Sequence, residues 1–225
     1  MRPPRWFRRL ASRTIRAGCR VLAITLPLMS AAEARAQEPA PRASVVFGLT
    51  QPLLLRGFNV EGDWWTEHVV VDYSHGINLH VPGTSLGGEY ERQGLDFLVR
   101  HSLGIGVGYR ITRALNVRLE PKVHVYDVHY ATGGAAPIGS FRTYTLGAGV
   151  YYLWRPFRNA TGAARWLSIV PSLRYWPQVA SSLDRDRVIY ASHVTGRTEV
   201  MRTPAIGAAN TPWIVNVSVG WTVLR

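Results

Sequence analysis

HSLGIGVGYRIT, residues 101–112, sorts its side chains into two sets of opposite character. Leu103, Ile105, Val107, Tyr109 and Ile111 take every second position, and Ser102, Gly104, Gly106, Gly108, Arg110 and Thr112 fill the gaps. A period of two marks a strand, because successive side chains point to opposite faces. The polar face is unusual in being small. Glycine weakens an open strand, so a face lined by Gly104, Gly106 and Gly108 points to a crowded interior. The apolar set then faces outward.

The same alternation recurs on either side. In LNVRLEPKVHVY, 115–126, Val117, Leu119, Val123 and Val125 oppose Asn116, Arg118, Glu120, Lys122 and His124. In RTYTLGAGVYYLW, 142–154, Tyr144, Leu146, Ala148, Val150, Tyr152 and Trp154 oppose Thr143, Thr145, Gly147, Gly149 and Tyr151. Leu167, Ile169, Leu173 and Tyr175 alternate with Ser168, Ser172 and Arg174. Strands are expected near 43–51, 57–65, 67–81, 95–112, 115–130, 141–154, 166–178 and 212–225. Very short connections at Thr66 and 113–114 contrast with a long one over 179–211. An even number of antiparallel strands, with short turns at one end and longer loops at the other, predicts an all-β, eight-stranded, up-and-down transmembrane barrel over 43–225.

The faces decide between two barrels. A soluble one is apolar inside and polar outside, and a membrane one is the reverse. The larger residues of the polar face mix signs: Glu61, Asp63, Asp72 and Glu120 with Arg110, Arg118, Lys122 and Arg174. Opposite charges enclosed in a narrow lumen can pair. Aromatics fall near predicted strand ends, with Trp64, Trp65, Tyr109, Trp154, Trp166 and Trp221 towards one rim and Tyr130, Tyr175, Trp176 and Trp213 towards the other. Rings with an apolar body and a polar tip favour the headgroup zone. Trp64, Tyr109, Trp154, Trp166, Trp176, Trp213 and Trp221 are therefore expected to form the aromatic girdle.

The amino-terminal segment explains the net charge of +12. Residues 1–36 hold eight arginines and one acid, Glu33, then VLAITLPLM and Ala34-Arg35-Ala36. A basic n-region, a short apolar run and an A-x-A site read as a secretory signal peptide cleaved after Ala36. Residues 37–42 read as a short leader. Without residues 1–36 the net charge falls to +5, so a nucleic-acid partner is not expected. The only cysteine, Cys19, lies within the signal and precedes the apolar run. That excludes disulfides, thiol catalysis and lipidation of the exported chain.

No cofactor or metal is expected. Residues 104–108 alternate like a nucleotide loop, but no βαβ unit follows. The histidines (His68, His75, His80, His101, His124, His129 and His193) lack a zinc-motif context. The arginines of the 179–211 loop are candidates for contact with phosphate groups or a partner.

The final stretch, WIVNVSVGWTVLR, 213–225, resembles the carboxy-terminal signal strand of Gram-negative outer-membrane proteins, although it ends on Arg225 rather than on an aromatic residue. Over 43–225 the chain resembles the small eight-stranded barrels of the outer-membrane protein A, X and W kind. That resemblance implies an outer-membrane location, contact with lipopolysaccharide and other outer-membrane lipids, and recognition by the barrel-assembly machinery. It also implies a blocked lumen and a structural, adhesive or ligand-binding role through external loops. A conduit for small or hydrophobic compounds and a lipid-modifying enzyme are the alternatives. The lipid A deacylases among such barrels carry a His-x-Ser-Asn pattern, which His101-Ser102 and Ser74-His75 do not match. Neighbouring strand residues face opposite ways, so neither pair can join nucleophile to base, and no enzymatic activity is expected.

Overall fold

The computed structural model describes residues 41–132 and 136–224. The signal-peptide reading over 1–36, and residues 37–40 of the leader, fall outside them. Eight strands form the wall: β1 (Pro41–Gly48), β2 (Phe58–Trp65), β3 (Val69–Val81), β4 (Leu95–Arg110), β5 (Leu115–Tyr130), β6 (Gly139–Tyr152), β7 (Leu167–Tyr175) and, at the carboxy-terminal end, β11 (Trp213–Leu224). Each pairs antiparallel with its neighbours, and β11 pairs with both β7 and β1. The sheet therefore closes on itself and leaves no unpaired edge in the wall.

The short turns are built by threonine. Thr66 Oγ1 accepts from the Val69 amide at 2.8 Å and closes the β2–β3 turn. Thr112 Oγ1 accepts from the amides of Ala114 and Leu115 at 3.2 and 2.9 Å and closes the β4–β5 turn. The other end is more elaborate. It carries the short helices α1 (Thr50–Leu54), α2 (Gly83–Leu86) and α3 (Gly88–Arg92), the strand β8 (Gln178–Ser181), and the hairpin β9 (Arg187–Ala191) and β10 (Thr198–Arg202). The loop over 179–211 is thus partly ordered into strands. The strand expected over 166–178 divides at Trp176-Pro177, and β8 resumes the pairing with β6.

Side-chain direction follows the sequence period and reverses once. Along β4, Ser102, Arg110 and the intervening small residues turn inward, while Ile105, Val107 and Tyr109 are exposed outside. On β3 and β4 the register runs from Ile77↔His101 directly to Leu79↔Val99. Asn78, in the left-handed region at φ 52°, and Arg100 are both skipped. An extra residue on each strand flips the alternation. Above this point Leu79, Val99, Phe97 and Leu95 face inward, and an apolar cluster fills the loop end.

Candidate functional site

The enclosed charges lie in the turn-side half of the barrel. Register brings Glu61 and Asp63 from β2, Asp72 and Ser74 from β3, Arg118, Glu120 and Lys122 from β5, and Arg174 from β7 to one level. All are buried. Arg118 is the hub. Its Nη1 donates to Glu61 Oε1 at 2.6 Å and Asp63 Oδ1 at 2.7 Å, and it lies 3.4 Å from Asp72 Oδ2. Its Nε donates to Asn116 Oδ1 at 2.8 Å. Arg174 Nη2 takes the other Glu61 oxygen at 3.1 Å.

Glu120 is held from three sides. Tyr151 Oη donates to Oε1 at 2.6 Å, Trp176 Nε1 donates to Oε2 at 3.0 Å, and Lys122 Nζ stands 3.7 Å away. Lys122 also donates to Ser74 Oγ. Ser44 Oγ donates to Asp63 Oδ2 at 2.5 Å and accepts from Trp65 Nε1 at 3.0 Å. Aromatic rings separate the cations: Arg118 and Arg174 lie 4.0 and 4.7 Å from the Tyr151 centroid. Lys122 lies 4.3 Å from the Trp176 ring. At this level four carboxylates face three cations, Arg118, Lys122 and Arg174. Pairing of opposite charges makes burial of these ions tolerable, although both Asp72 oxygens and Arg118 Nη2 lack a hydrogen-bond partner among the described residues.

Glycine makes the room. A methyl group on Gly106 would meet the Asp72 carboxylate, one on Gly104 the Lys122 stem, and one on Gly147 the Trp176 indole. The small inward face is therefore the complement of the large one.

Two expected site residues sit elsewhere. Arg110 lies at the turn-side mouth, where its guanidinium donates to the carbonyls of Thr66, Glu67 and Arg113. It braces the two short turns instead of joining the central network. Trp176 corrects the girdle expectation: it is buried in the lumen and bonded to Glu120. Its even-numbered position continues the Ser168–Ser172–Arg174 face, so the period already assigned it inward. Trp65 likewise continues the Glu61–Asp63 face and is buried. Trp64, Tyr109, Trp154, Trp213 and Trp221 point outward, each more than half exposed. Trp166 ends a 3-10 turn at an intermediate position, with Arg165 stacked on its ring at 4.3 Å.

One contact was not legible from adjacent pairs. Ser102 Oγ lies 2.9 Å from His124 Nδ1, across β4 and β5, and His124 Nε2 lies 3.1 Å from Thr145 Oγ1. A serine–histidine contact is the first half of a nucleophilic site. Here the second imidazole nitrogen meets a hydroxyl instead of a carboxylate, and His124 is fully enclosed.

The side chains of Arg118, Glu61, Asp63, Asp72, Glu120, Lys122 and Arg174 are at most 3% exposed, and they span the lumen from β2 to β7. Comparison of the chain with protein-family models, with curated proteins and with solved structures returns no match.

Proposed function

We propose that the protein is an integral outer-membrane barrel with a sealed lumen. It serves as a rigid anchor that presents its ordered loop end for a structural, adhesive or ligand-binding role. One observation carries this reading: the wall is inverted. Ionised groups are enclosed, while Val45, Val71, Ile105, Val107, Leu119, Leu146, Val150, Leu173 and Val215 are exposed on the outside. Soluble monomers rarely expose large contiguous apolar patches to water. In a bilayer the same side chains meet acyl chains, and the closed wall satisfies its own backbone. The outward tryptophans suit the headgroup zones. Outer-membrane lipids, lipopolysaccharide included, are the natural surroundings, and β11 is the strand offered to the assembly machinery.

The test is membrane fractionation with electrophoresis of boiled and unboiled samples. A membrane-retained band whose mobility shifts on boiling is expected. A soluble, unshifted band overturns the reading. Liposomes carrying the protein are expected to retain small solutes, and flux through them would favour a conduit instead. Lipid A is expected to have the same mass with and without the protein, and a changed mass would favour a lipid-modifying enzyme.

A further inference from the structure

The two ends of the barrel carry different charge. Arg42 at the start of β1, Arg110 at the end of β4, Arg113 in the β4–β5 turn, and Arg155, Arg158 and Arg165 between β6 and β7 converge on the turn-side rim. Among the described residues outside the lumen network, Glu67 is the only acid at that end. The long loop at the other end mixes its signs, with Arg185, Arg187, Arg197 and Arg202 set among Asp184, Asp186 and Glu199. The excess positive charge therefore lies at the turns. Tryptophans mark the level next to it. Register places Trp64 opposite Ala43 and Trp221 opposite Val45 and Leu167, and Trp154 bridges to Ile169. Arg42 lies 5.7 Å over the Trp64 ring and Arg165 4.3 Å over the Trp166 ring, so cation–π contact holds guanidinium groups against the aromatic layer. Arg42, Arg113 and Arg165 are exposed, and Arg155 and Arg158 are half-buried.

We propose that the turn-side rim is a binding surface for net-anionic phospholipid headgroups of the phosphatidylglycerol class. The inference rests on the membrane reading above and adds to it the headgroup class, the end of the barrel that selects it and the residues that do so. An apolar wall, then indoles, then guanidinium groups follow the order in which a bilayer presents acyl chains, interface and phosphates. A guanidinium can fork onto the phosphate of any phospholipid. In a zwitterionic lipid the headgroup's own cation opposes that contact. A phosphatidylglycerol headgroup carries only hydroxyls beyond its phosphate, so a rim with excess arginine favours it. Two of the six arginines are committed to the fold: Arg110 braces the short turns, and Arg155 Nη2 donates to the Arg165 carbonyl at 3.2 Å. The headgroup contacts are assigned to Arg42, Arg113, Arg158 and Arg165. The loop end, with its mixed signs, makes no such selection, so the phosphate contact expected of the loop arginines moves to the opposite rim.

The experiment is tryptophan quenching in vesicles of phosphatidylcholine and phosphatidylglycerol in equal amounts, with acyl-chain bromine on one lipid or the other. Bromine quenches an indole it touches, so the ratio of the two signals reads which lipid surrounds the protein. Attraction of arginines to anionic headgroups, averaged over the whole circumference, should make quenching by the brominated phosphatidylglycerol about twofold the stronger. Replacing Arg42, Arg113, Arg158 and Arg165 together by Gln should bring the ratio to one. Replacing Arg185, Arg187, Arg197 and Arg202 by Gln removes the same charge from the loop end and should leave it unchanged. Molar salt, with a Debye length of about 3 Å, should erase the preference in the unaltered protein. The boiling-dependent mobility shift verifies insertion and folding, and Arg113→Gln and Arg165→Gln are read singly if the fourfold variant does not fold. Equal quenching by the two lipids, a preference that survives molar salt, or the same loss from the loop-end variant overturns the proposal and leaves the membrane reading standing. Protein that stays out of the vesicles overturns both.

Discussion

The two halves of the barrel interior solve the same packing problem with opposite chemistry. On the turn side, Arg118, Arg174, Lys122 and their carboxylates fill the lumen through directed contacts. On the loop side, Tyr90, Phe97, Tyr126 and Phe141 fill it with rings: Tyr126 and Phe141 stack at 4.9 Å, and Phe97 meets Tyr90 and Tyr126 edge-on. The paired insertions at Asn78 and Arg100 mark the border on β3 and β4. The wall's outward face below that border is apolar, so the interior takes the polar residues. Above it the cap of α2, α3 and the β9–β10 hairpin covers the opening, and an ordinary apolar core becomes possible. Leu86 and Tyr90 from the helices, with Val188, Tyr190 and Met201 from the hairpin, complete that core. The difference teaches that the lumen is specified by what the wall must face, one level at a time.

The largest break falls on the polar half. Arg118→Met removes the partner shared by Glu61, Asp63 and Asp72 and leaves enclosed carboxylates poorly compensated. Loss of one member of a buried ion pair costs about 3–5 kcal/mol, and here three acids share the loss. The urea midpoint of the folded protein in detergent should drop accordingly. Arg118→Lys should recover only part of it, because one ammonium cannot supply the Nε contact to Asn116 together with the Nη1 contacts. A midpoint unchanged in Arg118→Met would mean that the lumen is wet and the network dispensable.

Phe97→Ala probes the apolar half. Deleting a buried ring costs about 3–5 kcal/mol through lost transfer energy and the cavity left behind. The effect should be local as well as global. Proteolysis within the β9–β10 hairpin should accelerate in Phe97→Ala, which underlies the cap, more than in a turn-side variant of equal midpoint. Equal acceleration would erase the distinction between the halves.

Gly147→Ala is the next smaller break. Its methyl group would drive the Trp176 indole from its seat against Glu120. Overpacking of this kind costs about 1–3 kcal/mol. Tryptophan fluorescence should shift to longer wavelength as Trp176 gains water, and Trp176→Phe should abolish the shift by removing both the emitter and the indole donor.

Much of this was legible in the sequence. The strands expected near 57–65, 95–112, 115–130 and 212–225 match β2, β4, β5 and β11 closely, because each carries a run of alternation bounded by turn residues, broken on β4 only at Arg100. The mixed signs on the polar face marked charges that could pair in the lumen but not which would meet; that Arg118 meets Glu61 is set by the register of β2 and β5 around the barrel. Two things were hidden. Trp176 looked like an interfacial ring because residue type was weighed above phase; its even-numbered position already placed it on the Arg174 face. The loop-side core was hidden because the paired skips at Asn78 and Arg100 are single-residue events. They leave no compositional trace, yet every residue beyond them changes face. The β9–β10 hairpin has the same weakness as a sequence signal: its inward face is only Val188, Tyr190 and Met201, and it is stable because the barrel rim completes its core.

The smallest effect sharpens the comparison through pH. Tyr190 lies in the cap, and burial pushes its phenol up from 10.0 to about 12, with Glu89 and Glu199 adding to the rise. A raised phenol pKa means that the folded cap keeps its proton where the unfolded chain has lost it. Below about pH 10 both states are protonated, and the group contributes no pH dependence. Between about 10 and about 12 the folded state binds more protons than the unfolded one, so stability falls as pH rises. The cap should therefore loosen over that window, seen as faster hairpin proteolysis and as delayed phenolate absorbance relative to denatured protein. Tyr190→Phe keeps the ring and removes the titrating group, so the part of the loosening due to this residue should vanish. Tyr90 in α3 is raised for the same primary reason and supplies any remainder. If Tyr190→Phe loosens over the same window to the same extent, the alkaline sensitivity lies outside the hairpin, and the cap is held mainly by contacts such as Ser192 Oγ to Gln93 Oε1 at 2.7 Å.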